Sequence, residues 1–198
     1  MIRNYHLADL ITLCNAFCGT GSILLTMSYL LEQDRWRLTA AMWILLAALV
    51  FDVLDGSVAR WRHASSPMGQ ELDSLADIVS FGVAPAALAF AMGMQGGWDA
   101  VILVYFVGCG ISRLARFNVT AATLSDERGK VRYFEGTPIP SSLVLVLVLG
   151  ICFANDRLGP ALPWGELKVG PFLWHPLSVL YLLSGSAMIS KTLRIPKP

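Results

Sequence analysis

Six apolar stretches, each of about 20 residues, occupy most of this 198-residue chain. Hydrophobic residues make up 55% of the sequence and charged residues only 15%, whereas a soluble domain carries about a quarter charged residues. Because a helix needs about 20 apolar residues to cross the hydrocarbon core of a bilayer, the sequence predicts an all-α polytopic membrane protein, a six-transmembrane-helix bundle. The expected spans are residues 10–31, 38–59, 74–94, 99–117, 138–155 and 172–190.

The polar connections between these stretches are loops rather than domains. The longest of them covers residues 120–136. We therefore expect a single membrane-embedded domain over residues 1–198. The first span lacks a small-residue cleavage site and contains Asn15, so we do not expect a signal peptide. In the third span, Gly82 and Pro85 are expected to shape a bend.

Lys and Arg divide unequally between the two sides of the membrane if the spans alternate in direction. One side then carries eleven of the fifteen basic residues. These eleven are Arg3, Arg60, Arg62, Arg113, Arg116, Arg128, Lys130, Arg132, Lys191, Arg194 and Lys197. By the positive-inside rule, both termini face the cytoplasm in this arrangement. We expect this orientation in the cell (inner) membrane of a prokaryote.

Four carboxylates lie at the predicted cytoplasmic ends of the second and third spans. Asp52 and Asp55 are three residues apart, and Asp73 and Asp77 are four apart, so each pair lies on one face of a helix. An ionised side chain within a membrane segment costs about 2.5–3.5 kcal/mol on insertion scales. Hard divalent cations bind clustered carboxylate oxygens. The pattern therefore predicts a site for Mg²⁺ or Mn²⁺.

Small residues and one Arg accompany these carboxylates. Gly56 and Ala59 lie on the face of the first pair, and Gly69 lies on the face of the second. Such small residues let a flat ligand or a neighbouring helix approach the backbone closely. Arg60, one turn beyond, suits the oxygens of a phosphate. Together these features favour a nucleotide diphosphate site. A cation or proton transporter remains the less favoured alternative, because a fixed positive charge does not suit a cation pathway.

The spacing of these residues resembles the signature of the CDP-alcohol phosphotransferase family. The pattern consists of Asp52, Asp55, Gly56, Ala59, Arg60, Gly69, Asp73 and Asp77. The resemblance implies four Asp residues that hold two divalent metals against the diphosphate of a CDP-linked lipid. An alcohol then attacks the phosphorus next to the lipid and releases CMP. It also implies six transmembrane helices, a homodimer, and a site open to the cytoplasm and the bilayer.

Further stretches resemble the phosphatidylserine synthase branch of that family. They are residues 69–85, 112–118 and 134–140, with Thr12, Asn15 and residues 17–19 in the first span. This resemblance implies CDP-diacylglycerol as the donor and L-serine as the acceptor. The chain departs from the branch at Ala8-Asp9, where a Pro-Asn pair is usual, and at Thr137, where Leu is usual. Choline, glycerol phosphate or inositol phosphate therefore remains open as the acceptor.

The resemblance also implies roles for the carboxylates. Asp52, Asp55 and Asp73 are expected to ligate the metals, with Asp77 also near them. Asp77 resembles the family's general base, which takes the proton of the acceptor hydroxyl. No Ser-His or Cys-His arrangement suggests a covalent intermediate, so we expect direct displacement. His6, His63 and His175 are expected at a surface or an interface.

Two further groups of residues are expected to bind the substrates. For the CDP-lipid they are Thr12, Asn15, Gly56, Ala59, Arg60 and Gly69, with the cytidine against Gly56 and Ala59. Hydrogen bonding between helices is an alternative role for Thr12 and Asn15. For the serine carboxylate they are Arg113, Arg116 and Asn118, because Arg binds carboxylates with two parallel hydrogen bonds. The alternative is that the two arginines are positive-inside anchors.

Overall fold

A computed structural model describes residues 7–62, 67–124, 133–190 and 194–196. The described chain is mainly helical. Its α-helices are α1 (Leu7–Glu32), α2 (Arg35–Arg62), α3 (Pro67–Asp77), α4 (Ala84–Ala91), α5 (Gly97–Leu124), α6 (Leu143–Ala154) and α7 (Val179–Ile189). A π-helical segment, Ile78–Val83, joins α3 to α4 without a break. Short 3₁₀ turns precede α6 and α7.

Four helical stretches in the described part of the chain are long and apolar enough to cross a membrane. They are Ala8–Glu32, Arg35–Val58, Met68–Ala91 and Gly97–Val119. The remaining apolar helices are shorter, Ile139–Ala154 and Pro176–Ile189. The prediction of a helical membrane protein is therefore confirmed, with four stretches of spanning length.

The last predicted span is wrong at its start. Phe172–Trp174 forms strand β3, which pairs antiparallel with β2 (Leu167–Val169). Gly170, with φ of +62°, lies in the turn between the two strands and adopts the left-handed region that glycine tolerates. A second ribbon joins β1 (Tyr133–Glu135) to β4 (Arg194–Pro196). The apolar run from residue 172 was ambiguous because short apolar segments fit a strand as well as a helix.

The helices pack in two main pairs, α1 with α2 and α5 with α7. Between α1 and α2, the buried Ser22 hydroxyl donates to the Ala41 carbonyl at 2.9 Å. Between α5 and α7, the rings of Phe106 and Tyr181 meet edge to face with centroids 5.2 Å apart. Large apolar side chains such as Phe17 remain exposed on the outside of the bundle. Such an apolar exterior suits a lipid surrounding.

Pro85 explains the irregular third span. It has no N–H group, so the Phe81 carbonyl lacks its usual helical donor. The Ser142 hydroxyl donates to that carbonyl at 2.6 Å, and the Tyr181 hydroxyl donates to the Pro85 carbonyl at 3.1 Å. The Ala84 N–H donates to Val79 O, five residues back. The bend expected at this position is a π-helical segment, whose freed carbonyl is satisfied by a neighbouring helix.

His175, expected at a surface or an interface, is buried in the structure. Its Nδ1 lies 2.6 Å from Asp99 Oδ2, and its backbone N–H donates to Asp99 Oδ1 at 2.9 Å. The Gly96 N–H also donates to Asp99. These contacts fasten the residue before the 3₁₀ turn that leads into α7 to the first turn of α5. His6 and His63 lie outside the described residues.

Candidate active site

Three carboxylates meet between the C-terminal part of α2 and the second half of α3. Asp52, Asp55 and Asp73 each place one oxygen within 4.8 Å of the others. Asp55 is buried, while the other two are half-buried. The helical spacing brings the side chains of α2 onto one face, and α3 adds Asp73 from the following helix. The predicted carboxylates of these two spans therefore come together.

The donor set fits a divalent cation. Among the described residues, Asp55 Oδ2 and Asp73 Oδ1 are buried and have no hydrogen-bond partner. A buried acceptor without a donor costs about 1–3 kcal/mol, and more if it is charged. Three such carboxylates side by side also repel one another. A hard cation bound to these oxygens removes both costs.

Asp77 has a different environment from the other three carboxylates. It is buried at the last residue of α3, and the Asn15 Nδ2 donates to its Oδ1 at 3.3 Å. The cluster of possible metal ligands does not include it. A neutral amide donor beside a carboxylate holds its orientation without neutralising its charge. This arrangement suits a proton acceptor beside the metal ligands.

The first helix contributes two buried polar side chains to the site. The Thr12 hydroxyl lies 3.1 Å from the Ala8 carbonyl and also hydrogen-bonds with Asp55, and its single proton can be donated to either. Asn15 is fully buried, and its Oδ1 has no partner among the described residues. Both residues predicted on this helix therefore contact an active-site carboxylate. Because the free group of Asn15 is an acceptor, it fits a ligand that donates a hydrogen bond.

Of the three residues predicted to bind serine, Arg113 on α5 is the one that interacts electrostatically with an active-site carboxylate. Its guanidinium is half-buried and feels the charge of Asp77. The guanidinium carbon lies 5.9 Å from the centre of the Phe117 ring, which is within cation–π range. Arg113 therefore offers a positive charge within electrostatic range of the candidate base, without a direct ion pair between the two in the described structure.

The other two residues of that group bind neighbouring helices. Both terminal nitrogens of Arg116 donate to the Ile189 carbonyl at 3.3 Å, at the last residue of α7. A cation at a helix C-terminus is favourable because it complements the helix dipole. Asn118 Nδ2 donates to Glu71 Oε2 at 3.3 Å and to the Ser74 hydroxyl at 3.1 Å. These contacts join α5 to α7 and to α3.

The remaining predicted residues are only partly described. Gly56 and Gly69 are half-buried on α2 and α3. Ala59 and Arg60 belong to α2, but their side chains lie outside the described residues. Their roles stay predictions.

Sequence reasoning missed the residues that hold the third span in place. Ser142 and Tyr181 bond to carbonyls of the segment around Pro85, and Ser80 bonds to the first helix. Pro85 signals that the carbonyl four residues earlier needs another donor. Nothing in the sequence identifies which distant hydroxyl supplies it.

The structure is that of a helical membrane protein with a cluster of carboxylates suited to a divalent cation. Sequence comparison identifies the family of such proteins to which the chain belongs. The model of the CDP-alcohol phosphatidyltransferase family matches residues 5–174, and the chain belongs to that family. The chain is 48% identical over 201 residues to the CDP-diacylglycerol–serine O-phosphatidyltransferase of Saccharomyces cerevisiae, covering all of this chain and 73% of that protein.

Two further relatives come from a bacterium and an archaeon. The Helicobacter pylori CDP-diacylglycerol–serine O-phosphatidyltransferase is 39% identical over 146 residues, with 73% of this chain and 56% of the relative covered. The archaetidylserine synthase of Methanothermobacter thermautotrophicus is 38% identical over 143 residues, with 71% and 55% covered. The chain thus spans a little over half the length of these two relatives.

Proposed function

We propose that the protein transfers a phosphatidyl group from CDP-diacylglycerol to the hydroxyl of L-serine, forming phosphatidylserine and releasing CMP. The observation that carries this proposal is the carboxylate cluster of Asp52, Asp55 and Asp73 in a chain of this family. The relatives named as serine phosphatidyltransferases support serine as the acceptor. No observation favours a transporter.

The four carboxylates divide into two roles. Asp52, Asp55 and Asp73 would hold one or two Mg²⁺ or Mn²⁺ ions, and the bound cation would neutralise the diphosphate charge that repels an incoming oxygen. Asp77 accepts the proton of the serine hydroxyl, and Asn15 keeps the Asp77 carboxylate turned toward the site through its amide. The serine oxygen then bonds to the phosphorus next to the lipid. The bond to the CMP oxygen breaks, and CMP leaves with the electron pair.

Arg113 binds the carboxylate of serine in this proposal. A serine carboxylate adds a negative charge to a site that already contains four, so it needs a cationic partner. Arg113 is half-buried beside Asp77, whereas Arg116 already binds the Ile189 carbonyl. Asn118 supports this side of the pocket by joining α5 to α3. Thr12, Asn15, Gly56, Ala59, Arg60 and Gly69 remain the proposed contacts of the CDP-lipid.

The proposal extends to the whole membrane arrangement. Ile139–Ala154 and Pro176–Ile189 measure only about 24 and 21 Å along their axes, less than the hydrocarbon core of about 30 Å. Non-helical backbone next to each helix must then complete the crossing. The N–H and C=O groups of such backbone need hydrogen-bond partners within the protein. The Thr137 N–H donates to Ala187 O at 3.2 Å, as this requires. We therefore propose six crossings in one domain over residues 1–198.

Orientation and assembly belong to the same proposal. The excess of basic residues near the ends that carry the carboxylates supports a cytoplasmic active site. We also propose a homodimer, in line with the family resemblance. A prokaryotic cell membrane remains the predicted location, although one relative is from yeast.

The acceptor can be identified with purified protein in detergent or nanodiscs. CDP-diacylglycerol and Mn²⁺ or Mg²⁺ are incubated with serine, choline, glycerol phosphate or inositol phosphate in turn, and the lipid products are separated. We expect phosphatidylserine from the serine reaction only. Product from another alcohol in place of serine would reassign the acceptor, and no lipid product from any alcohol would remove the transferase assignment.

A further inference from the structure

The first helix and the π-helical segment touch at a point where only glycine fits. A Cβ atom built on Gly19 would lie 2.4 Å from Ser80 Oγ and 2.7 Å from Ser80 Cα. Because one of these atoms is backbone, no rotation of a side chain relieves the overlap. The Ser80 hydroxyl is fully buried and donates to the Asn15 carbonyl at 2.9 Å. Backbone therefore packs directly on backbone between α1 and this segment.

The contact lies one helical turn from the catalytic pair. Asn15 and Gly19 are four residues apart on α1, and Asp77 and Ser80 are three apart across the start of the π-helical segment. Residues at these spacings lie on the same face of their helices. One face of α1 therefore contains both Asn15 and Gly19, and it contacts the face that contains Asp77 and Ser80. The close contact of Gly19 with Ser80 and the hydrogen bond from Asn15 Nδ2 to Asp77 Oδ1 lie between these two faces. The distance between the two segments at Gly19 sets the distance between Asn15 and Asp77.

The π-helical segment and the start of α4 are also held by two hydroxyl groups from later parts of the chain. The Ser142 hydroxyl bonds to the Phe81 carbonyl, and the Tyr181 hydroxyl bonds to the Pro85 carbonyl. Both donors are buried. A group added at Gly19 must therefore displace α1, together with Asn15, relative to Asp77.

We propose that Gly19 and Ser80 are positioning residues of the catalytic centre, which hold the Asn15 amide against the Asp77 carboxylate. This inference rests on the proposed role of Asp77 as the base. Neither residue touches the substrates in this account. Gly19 sets the approach of the two segments, and Ser80 fixes their register through the Asn15 carbonyl. π-Helical turns within α-helices occur frequently at functional sites.

The test compares Gly19→Ala with Gly21→Ala in the full-length protein. A Cβ atom on Gly21 meets nothing within 4 Å, so this variant is the matched control on the same helix. We expect Gly19→Ala to lower kcat on the order of tenfold to a hundredfold, as a displacement of roughly 1 Å does at a catalytic group. The KM for CDP-diacylglycerol should change less than kcat, because Thr12 and Asn15 are only two of the six proposed contacts of the CDP-lipid. Gly21→Ala should match wild type, and a kcat loss equal to that of Gly19→Ala would overturn the proposal.

A second variant keeps the proposal testable if Gly19→Ala fails to fold. Ser80→Ala retains the Cβ atom and removes only the hydrogen bond to Asn15. It should lower kcat by about threefold to tenfold, the range that one neutral hydrogen bond supports. An unchanged kcat in Ser80→Ala would contradict the role of Ser80.

A double-mutant cycle separates positioning from general packing. In an Asn15→Ala background, Gly19→Ala and Ser80→Ala should each lower kcat by less than about twofold further. The hydrogen bond from Asn15 to Asp77, through which both residues are proposed to act, is already absent in that background. Full multiplicative losses in that background would mean that both residues act only through packing.

NMR of the asparagine side-chain amides gives a measurement that does not depend on turnover. The chain contains four asparagines, so ¹⁵N-labelled asparagine gives few signals, and Asn15→Ala assigns the one required. The Asn15 amide signal should move in Gly19→Ala and Ser80→Ala and stay fixed in Gly21→Ala. A signal unmoved in all three variants would overturn the proposal. Wild-type protein that is inactive with serine would instead refute the proposed function, and the kinetic comparison would then use the alcohol that wild type accepts.

Discussion

At the residue scale, the four carboxylates differ in what surrounds them. Asp55 and Asp73 each have a buried oxygen without a partner in the described part of the chain, whereas Asp77 receives the Asn15 amide. The sequence pattern predicts that the four residues act together, because it fixes their spacing along two helices. It does not predict the different partner of Asp77, since Asn15 lies on another helix.

Replacing Asp77 by Asn tests its separation from the metal ligands. We expect Asp77→Asn to lower kcat on the order of 10²–10⁴-fold, the contribution typical of a general base, while CDP-diacylglycerol still binds in the presence of Mn²⁺. Binding can be measured by calorimetry in the absence of serine, so that no transfer reaction occurs. Asp52→Asn serves as the comparison, and an equal loss of binding in both variants would place Asp77 among the metal ligands.

The two arginines of α5 give a second residue-scale prediction. Arg113→Lys should raise the KM for serine on the order of tenfold, because Lys cannot bind a carboxylate in the bidentate manner of Arg. Arg116→Lys is the matched control, since its partner is the Ile189 carbonyl rather than the site. Steady-state kinetics at saturating CDP-diacylglycerol measure both. A serine KM that rises in Arg116→Lys but not in Arg113→Lys would exchange their roles.

At the element scale, the sequence predicts the long spans well because twenty apolar residues leave a chain few alternatives to a membrane helix. It fails at residues 172–174, where three apolar residues pair with β2 instead of starting α7. It also predicts a bend near Pro85 without predicting the π-helical form. The donor to the Phe81 carbonyl, Ser142, comes from a different element, so the local sequence does not identify it.

The hydrogen bond from Ser142 to the Phe81 carbonyl gives an element-scale prediction. Ser142→Ala should lower the free energy of unfolding by about 1–3 kcal/mol, because the buried carbonyl loses its donor. Ser141→Ala is the control, since Ser141 is only half-buried next to it. Thermal unfolding in the same detergent measures both variants. Equal melting temperatures for Ser142→Ala and wild type would show that the carbonyl finds another donor.

At the scale of the whole molecule, the bundle places functional side chains from four helices near one another. α1 supplies Thr12 and Asn15, and the C-terminal parts of α2 and α3 supply the carboxylates. Arg113 comes from the C-terminal half of α5. The β2–β3 ribbon and the contacts of Asp99 with His175 lie near the other end of α5. An active site at one end of a membrane bundle can receive a water-soluble acceptor and a lipid donor at the same time. This arrangement suits a phosphatidyltransferase.

The central claim is tested most directly by measuring CMP and phosphatidylserine together from CDP-diacylglycerol and L-serine. We expect the two products in equal amounts with Mn²⁺ or Mg²⁺, and neither product in excess chelator or with Asp73→Asn, because the clustered carboxylates need a cation to act on the diphosphate. Activity should return when the cation is restored to the wild-type protein. Phosphatidylserine formed at the full rate in excess chelator would contradict the account, as would CMP released without any lipid product.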